Sequence, residues 1–251
     1  MISITTYLIV CPLLFLAGFV DSIAGGGGLI SLPAYLLAGL PIHNALGTNK
    51  FSSCCGTMIS VARFLKNGMV NLKLALPAVA CGLTGSAIGA KLSMTIPEKA
   101  LMTMLLVVLP VAAFCVLNKK LFKDRGEGSS AVTKRSVAIA AVCAFIIGMY
   151  DGMYGPGTGT FLIIAFTVGA KLGIAQSNAN AKVINLSTNM AALAVFLLHG
   201  QVIITVGIAA AISNMLGNYL GSGLVITKGA RIVRPLIIAV LILLFFRQVV
   251  L

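Results

Sequence analysis

Apolar runs alternate with short polar joints along almost the whole chain, and most runs are long enough for helices that cross a bilayer. Spans are predicted at residues 7–20, 45–65, 74–90, 101–117, 137–150, 177–198, 202–224 and 233–246. Two further runs, 29–40 and 161–170, reach only about half of the roughly 20 residues that a crossing needs. Each follows a glycine-rich polar stretch. The first is Asp21-Ser22-Ile23-Ala24-Gly25-Gly26-Gly27-Gly28, and the second is Asp151-Gly152-Met153-Tyr154-Gly155-Pro156-Gly157-Thr158-Gly159-Thr160. In a helix Gly costs about 1 kcal/mol relative to Ala and Pro about 3, so both stretches read as breaks. Inside hydrocarbon a broken backbone persists only where protein or a water-filled cavity satisfies its N–H and C=O groups. Both breaks are therefore predicted to line a site.

The order of parts occurs twice. Shifted by about 130, Asp21 falls on Asp151 and Gly25 on Gly155; shifted by 132, Lys50 falls on Lys182, Phe64 on Phe196, Gly85 on Gly217 and Gly89 on Gly221. This reads as an internal duplication with a period too long for a solenoid. The expected fold is an all-α integral membrane protein made of two inverted repeats of about five membrane segments, each with a glycine-interrupted helix pair. Residues 1–118 form the first repeat, 119–135 a cytoplasmic linker and 136–251 the second repeat. Gly82, Gly85 and Gly89 make one small-residue face suited to close helix packing. Asn44 is placed to cap the helix that carries Lys50.

Composition agrees with a membrane domain. Of 251 residues 59% are hydrophobic and 9% charged, with a mean hydropathy of +1.07; soluble domains carry about 25% charged residues. The net charge of +13 is not a nucleic-acid signal, because the basic residues gather at the ends of apolar runs. With the N-terminus outside and five segments per half, thirteen of the eighteen fall on inner joints: Arg63, Lys66 and Lys73, the six from Lys119 to Arg135, Lys171, and Lys228, Arg231 and Arg234. Four full spans per half would put the last three outside. An odd number of segments also inverts the second half, the arrangement that places transporter sites at broken helices near the midplane. The first apolar run lacks a basic leader and a cleavage site, so it reads as a span rather than a signal peptide. Six cysteines without CxxC spacing indicate neither zinc nor disulfides.

The candidate chemistry lies at the breaks and on the helices that follow. Glycines Gly25, Gly26, Gly27 and Gly28 in one half, and Gly155, Gly157, Thr158, Gly159 and Thr160 in the other, precede half-length helices whose first N–H groups and positive dipole ends form an anion cradle. Lys50, with Thr48 and Asn49, and Lys182, with Asn180 and Asn185, lie on polar helix faces that have no use in lipid. A buried ammonium needs a counter-charge, and Asp21 and Asp151 are the carboxylates within apolar sequence. They are read as charge partners or as proton-coupling groups. The isolated His43 and His199, at helix ends, supply no catalytic set, so an enzyme is not expected, and no cofactor or metal is called for.

These residues carry a family resemblance. Asp21 with its glycines, Pro33 and Gly47-Thr48-Asn49-Lys50, then Asp151-Gly152, Gly155-Pro156-Gly157-Thr158-Gly159 and Ala181-Lys182, resemble the sulfite exporter TauE/SafE family of membrane transporters over nearly the whole chain. The resemblance implies multi-pass insertion in a bacterial or archaeal inner membrane and transport of small sulfur-containing anions such as sulfite or organosulfonates, with export as the expected direction. An anion channel, or a carrier of other small organic anions, is the alternative. The expected partners are the small anion and the lipid bilayer, with a coupling proton and a homo-oligomer as further options and no nucleic acid.

Overall fold

The computed structural model describes residues 4–101, 103, 132–229 and 231–232. Among these the chain forms eight main helices and no strand: α1 (Ile4–Ala24), α2 (Gly28–Leu37), α3 (Ile42–Lys66), α4 (Leu72–Ser93), α5 (Lys134–Met153), α6 (Thr158–Val168), α7 (Ile174–Leu198) and α8 (Ile204–Lys228). The expected segments 101–117 and 233–246, and most of the 119–135 linker, lie outside the described residues. The end of that linker is already helical. Thr133 Oγ1 accepts from the Ser136 N–H at 3.1 Å, so Lys134 and Arg135 belong to the first turn of α5.

Five helices, α1, α4, α5, α7 and α8, are long and apolar enough to cross a membrane, whereas α2 and α6 are short apolar helices. The four helices α1 to α4 have 21, 10, 25 and 22 residues, and α5 to α8 have 20, 11, 25 and 25, so the two sets share an order of lengths. α3 matches α7 in length but carries more polar residues, among them Asn44, Asn49, Lys50, Ser52 and Ser53.

α3 begins earlier than its sequence suggests. The Pro41 carbonyl accepts the Ala45 N–H at 2.8 Å, and Pro41 itself is extended at φ −56°, ψ 150°. Asn44 therefore sits inside the first turn and does not cap it; the fixed φ of proline sets the start instead. α4 does have a side-chain cap, with Asn71 accepting from the Leu74 N–H at 3.3 Å.

The main helix contacts cross between the halves. α1 packs on α8, α5 on α4, α3 on α8 and α7, and α4 on α7. Glycine makes the first two contacts possible. A Cβ at Gly85 or Gly89 would strike the carbonyls of Phe145 and Met149, and one at Gly217 or Gly221 those of Phe15 and Phe19. These pairs touch backbone to backbone, as small-residue membrane interfaces do. Gly82 is looser, with the nearest atoms being the methyl tips of Ile184 and Thr188 at 3.2 Å.

Polarity is arranged inside out relative to a soluble protein. Leu8, Leu76, Ile88, Ile146, Ile212 and Leu220 are exposed, whereas Asn49, Ser60, Asn178, Asn189, Asn214 and Asn218 are buried. The buried polar groups join helices. Ser60 Oγ on α3 donates to Asn218 Oδ1 on α8 at 2.7 Å, and Asn214 Nδ2 on α8 donates to the Leu14 carbonyl on α1 at 3.3 Å. In a membrane such bonds each contribute roughly 0.6–2 kcal/mol, replacing the hydrophobic drive that lipid removes.

Candidate functional site

The site starts from two short interruptions. Residues 25–27 separate α1 from α2, and 154–157 separate α5 from α6. Gly25, Gly155 and Gly157 take φ of 75°, 99° and 86°, the left-handed region that glycine occupies without strain. Gly27 is different: its φ is −57°, and what holds it to glycine is the Asp21 side chain, which a Cβ would strike. The two breaks meet. A Cβ on Gly25 would run into the backbone of Gly159 and Thr160, one on Gly159 into the backbone of Gly25, and one on Gly28 would stand 3.0 Å from Pro156 Cα.

A helix that stops inside a membrane leaves carbonyls to be satisfied. Here the second half supplies the first. Asn178 Nδ2 donates to the Ser22 carbonyl at 3.0 Å and Thr160 Oγ1 to the Ala24 carbonyl at 2.8 Å. The second break is also tied internally, with Tyr150 OH donating to the Pro156 carbonyl at 2.6 Å and Thr158 Oγ1 to the Gly155 carbonyl at 2.7 Å.

Both lysines are buried and both are paired across the halves. Lys182 Nζ lies 2.7 Å from Asp21 Oδ2, and Lys50 Nζ lies 3.0 Å from Asp151 Oδ1. The lysine side chains are 0% and 2% exposed, so neither reaches an interface; unpaired, such charges would be prohibitive. The pairs differ in their second oxygens. Asp21 Oδ1 accepts the Gly27 N–H at 3.3 Å, while Asp151 Oδ2 is buried with no hydrogen-bond partner among the described residues.

A cavity of about 20 Å³ lies between the breaks. Asp21, Gly25 and Gly28 line it from the first break, Asp151, Gly155 and Gly159 from the second, Asn49, Lys50 and Ser53 from α3, and Asn185 and Asn189 from α7. Every lining side chain is polar or absent. Lys50 stays close to the second break, since a Cβ on Gly155 would come to 3.0 Å of its Nζ.

The cavity thus gathers Gly25, Gly28, Asn49, Lys50, Gly155, Gly159, Asn185, Asp21 and Asp151 of the expected set. Gly26, Gly27, Gly157, Thr158, Thr160 and Lys182 stand around it, outside its lining. Thr48 and Asn180 are engaged elsewhere: Thr48 Oγ1 accepts the Ile203 N–H at 3.0 Å at the start of α8, and Asn180 Oδ1 accepts the Asn71 N–H at 3.1 Å at the start of α4. Besides Ser53, a turn beyond Asn49 on the same helix, the lining residue outside the expected set is Asn189. Its signal was its position four residues after Asn185, the spacing of one helix face, and Asn189 Nδ2 donates to Asn185 Oδ1 at 3.3 Å.

Five cysteines, Cys11, Cys54, Cys55, Cys81 and Cys143, are free thiols on the helices, and among the described residues no group of His, Cys, Asp and Glu could hold a metal ion.

Comparison with known proteins follows this geometry. A "Probable membrane transporter protein ORF9" of Sinorhizobium sp is 37% identical over 233 residues, covering 93% of this chain and 88% of the relative. "Probable membrane transporter protein YfcA" of Escherichia coli (strain K12) is 34% identical over 226 residues, covering 90% and 82%. "Probable membrane transporter protein YdhB" of Bacillus subtilis (strain 168) is 23% identical over 245 residues, covering 94% and 100%. No solved structure matches the chain. The relatives are transporters and not enzymes, and the profile of the family described as "Sulfite exporter TauE/SafE" matches residues 10–247. The chain is a multi-pass membrane transporter that belongs to the sulfite exporter TauE/SafE family.

Proposed function

We propose that the protein is a secondary transporter of the inner membrane that exports small sulfur-containing anions, such as sulfite or organosulfonates, by alternating access around the cavity between the two breaks. The observation that carries this reading is the cavity itself: a wholly polar pocket, lined from both halves, containing Lys50 and bounded by the starts of α2 and α6. Helix N-termini and an ammonium favour an anion. The family description supplies the sulfur.

Inversion of the halves is part of the same proposal and is supported by the direction of the packed helices. Contacts rise together between α1 and α8 (Phe15 with Gly217, Phe19 with Gly221), α3 and α8 (Thr48 with Ile203, Ser60 with Asn218), and α4 and α5 (Gly85 with Phe145, Gly89 with Met149). His43, at the start of α3, meets the Ser93 carbonyl at the end of α4 at 3.2 Å, so α3 and α4 run oppositely. α1 then opposes α5, its counterpart in the second half. This is the geometry in which a site at the repeat interface is exposed to each side in turn.

A cavity of about 20 Å³ has room for roughly one water. An anion of four or more heavy atoms needs the breaks to part, which fits an occluded state of a carrier better than an open pore. Purified protein in proteoliposomes, loaded with sulfite, methanesulfonate, thiosulfate, sulfate or acetate, tests the reading. Saturable counterflow of sulfite or methanesulfonate, with acetate transported poorly, is expected. Flux that rises linearly with concentration would indicate a channel, and preference for acetate would move the substrate class to carboxylates.

A further inference from the structure

The two buried ion pairs occupy matched places in the repeat, yet their surroundings differ. Asp21 uses both carboxylate oxygens, Oδ2 on Lys182 and Oδ1 on the Gly27 N–H. It therefore holds α7 and the start of α2 together; Asp21 lines the cavity, but both its oxygens are engaged and its partner Lys182 lies outside the lining. Asp151 uses one oxygen, on Lys50 at 3.0 Å, while its Oδ2 is buried without a partner among the described residues, and both Asp151 and Lys50 line the cavity.

We infer that the pairs have divided labour: Lys182–Asp21 is a fixed latch, whereas Lys50–Asp151 is an exchange pair in which the anion takes Lys50 and a proton takes its place on Asp151. The inference rests on the proposed anion site and names the residue through which that site is coupled to protons. Among the described residues Lys50 is the only ammonium in the cavity lining, so an anion in the cavity competes with Asp151 for its N–H groups. Removing one partner of a buried pair while the other stays charged is strongly unfavourable. A proton taken up from bulk solution, relayed by water that enters with the anion, binds Oδ2, giving the neutral carboxylic acid, while Lys50 keeps its three protons and turns to the anion. For a monoanion the net charge of the occupied site is then what it was when empty, and for a dianion it is one unit more negative; in either case one proton enters and leaves with each anion.

The other ionisable groups near Asp151 do not supply this role. Lys182 is held by Asp21 across the cavity. Cys54, one turn beyond Lys50, and Tyr150, on the helix of Asp151, are within electrostatic reach but absent from the lining, as is Tyr154. α4 presents Gly85, Ser86 and Gly89 to this side of α5, with no ionisable group among them.

The test is titration calorimetry on the purified full chain with thiosulfate and methanesulfonate, neither of which gains a proton between about pH 5.5 and 8.5, in buffers of different ionisation enthalpy. The wild type should take up about one proton per anion bound, and Asp151→Asn should bind with no proton uptake. Lys50→Gln should weaken binding at least roughly tenfold, and Lys182→Gln several-fold less while keeping proton uptake. The double variant Lys50→Gln with Asp151→Asn leaves no unpaired buried charge behind, since Lys182 and Asp21 keep each other, so it should insert and fold yet bind as weakly as Lys50→Gln. Proton uptake that survives in Asp151→Asn, equal losses in the two lysine variants, or tight binding by the double variant would overturn the inference and leave the anion site standing. No binding of any of the anions by the wild type would overturn the site and the inference together.

Discussion

A single Cβ distinguishes the glycines that build the site from those that merely turn the chain. Gly25 and Gly39 both have positive φ, 75° and 84°, but a Cβ at Gly39 meets nothing within 4 Å, whereas at Gly25 it meets the backbone of Gly159. Gly39→Ala should cost about 1 kcal/mol of left-handed strain and keep transport. Gly25→Ala adds a collision with backbone that no rotamer relieves, so it should lose transport and most of its folded yield at matched expression. Gly82→Ala, meeting two side-chain methyl groups at 3.2 Å and no backbone atom closer than 3.7 Å, should change the melting temperature by a few degrees at most and leave flux near wild type. Detergent melting curves with paired flux assays decide this, and equal flux in Gly25→Ala and Gly39→Ala would remove the close approach of the breaks from the mechanism. At this scale the sequence marked the charged residues well. Asp21, Lys50, Asp151 and Lys182 stand out because charge in apolar sequence is rare. It could not say which Asp meets which Lys, because that pairing depends on how two distant segments cross.

Between helices, the polar residues after the breaks turn out to have two kinds of work. Asn49 and Asn185 face the cavity, while Thr48 and Asn180 tether the starts of α8 and α4 through the N–H groups of Ile203 and Asn71. Spacing along one helix cannot separate these, since adjacent residues differ by about 100° around the axis and the neighbour on each side is supplied by the other half. Asn180→Ala and Thr48→Val should each lower stability by about 1 kcal/mol, the usual net value of one hydrogen bond, read as a drop in melting temperature. Their anion affinity should fall by less than that of Lys50→Gln; a loss equal to that variant's would return them to the binding surface. Helix positions were legible wherever hydropathy switched sharply, and the order of long, short, long, long in each half was readable from the apolar runs. Ends were less so. α3 starts at Ile42 because Pro41 fixes the entry, although Asn44 has the better capping side chain.

Across the whole molecule, the duplication and the charge asymmetry lead to one measurable orientation. A reporter inserted between residues 119 and 133 should read as cytoplasmic, and one fused after Leu251 as external, since that arrangement keeps thirteen of the eighteen basic residues inside. An internal reading for the second fusion would reject the inverted repeats. The repeat was visible in sequence because Asp, Lys and Gly recur at fixed offsets, whereas the interlocking of the halves, α1 on α8 and α5 on α4, has no sequence signature. The contact of Gly25 with Gly159 has a mechanical consequence. No side chain cushions that crossing, so the breaks cannot yield separately, and tilting one drags the other with it. Under the proposed alternating access this crossing is the fulcrum: opening one side closes the other, and the two sides are never open together. Planar bilayers holding the protein should therefore show no channel-like unitary conductance in sulfite gradients, however fast the exchange.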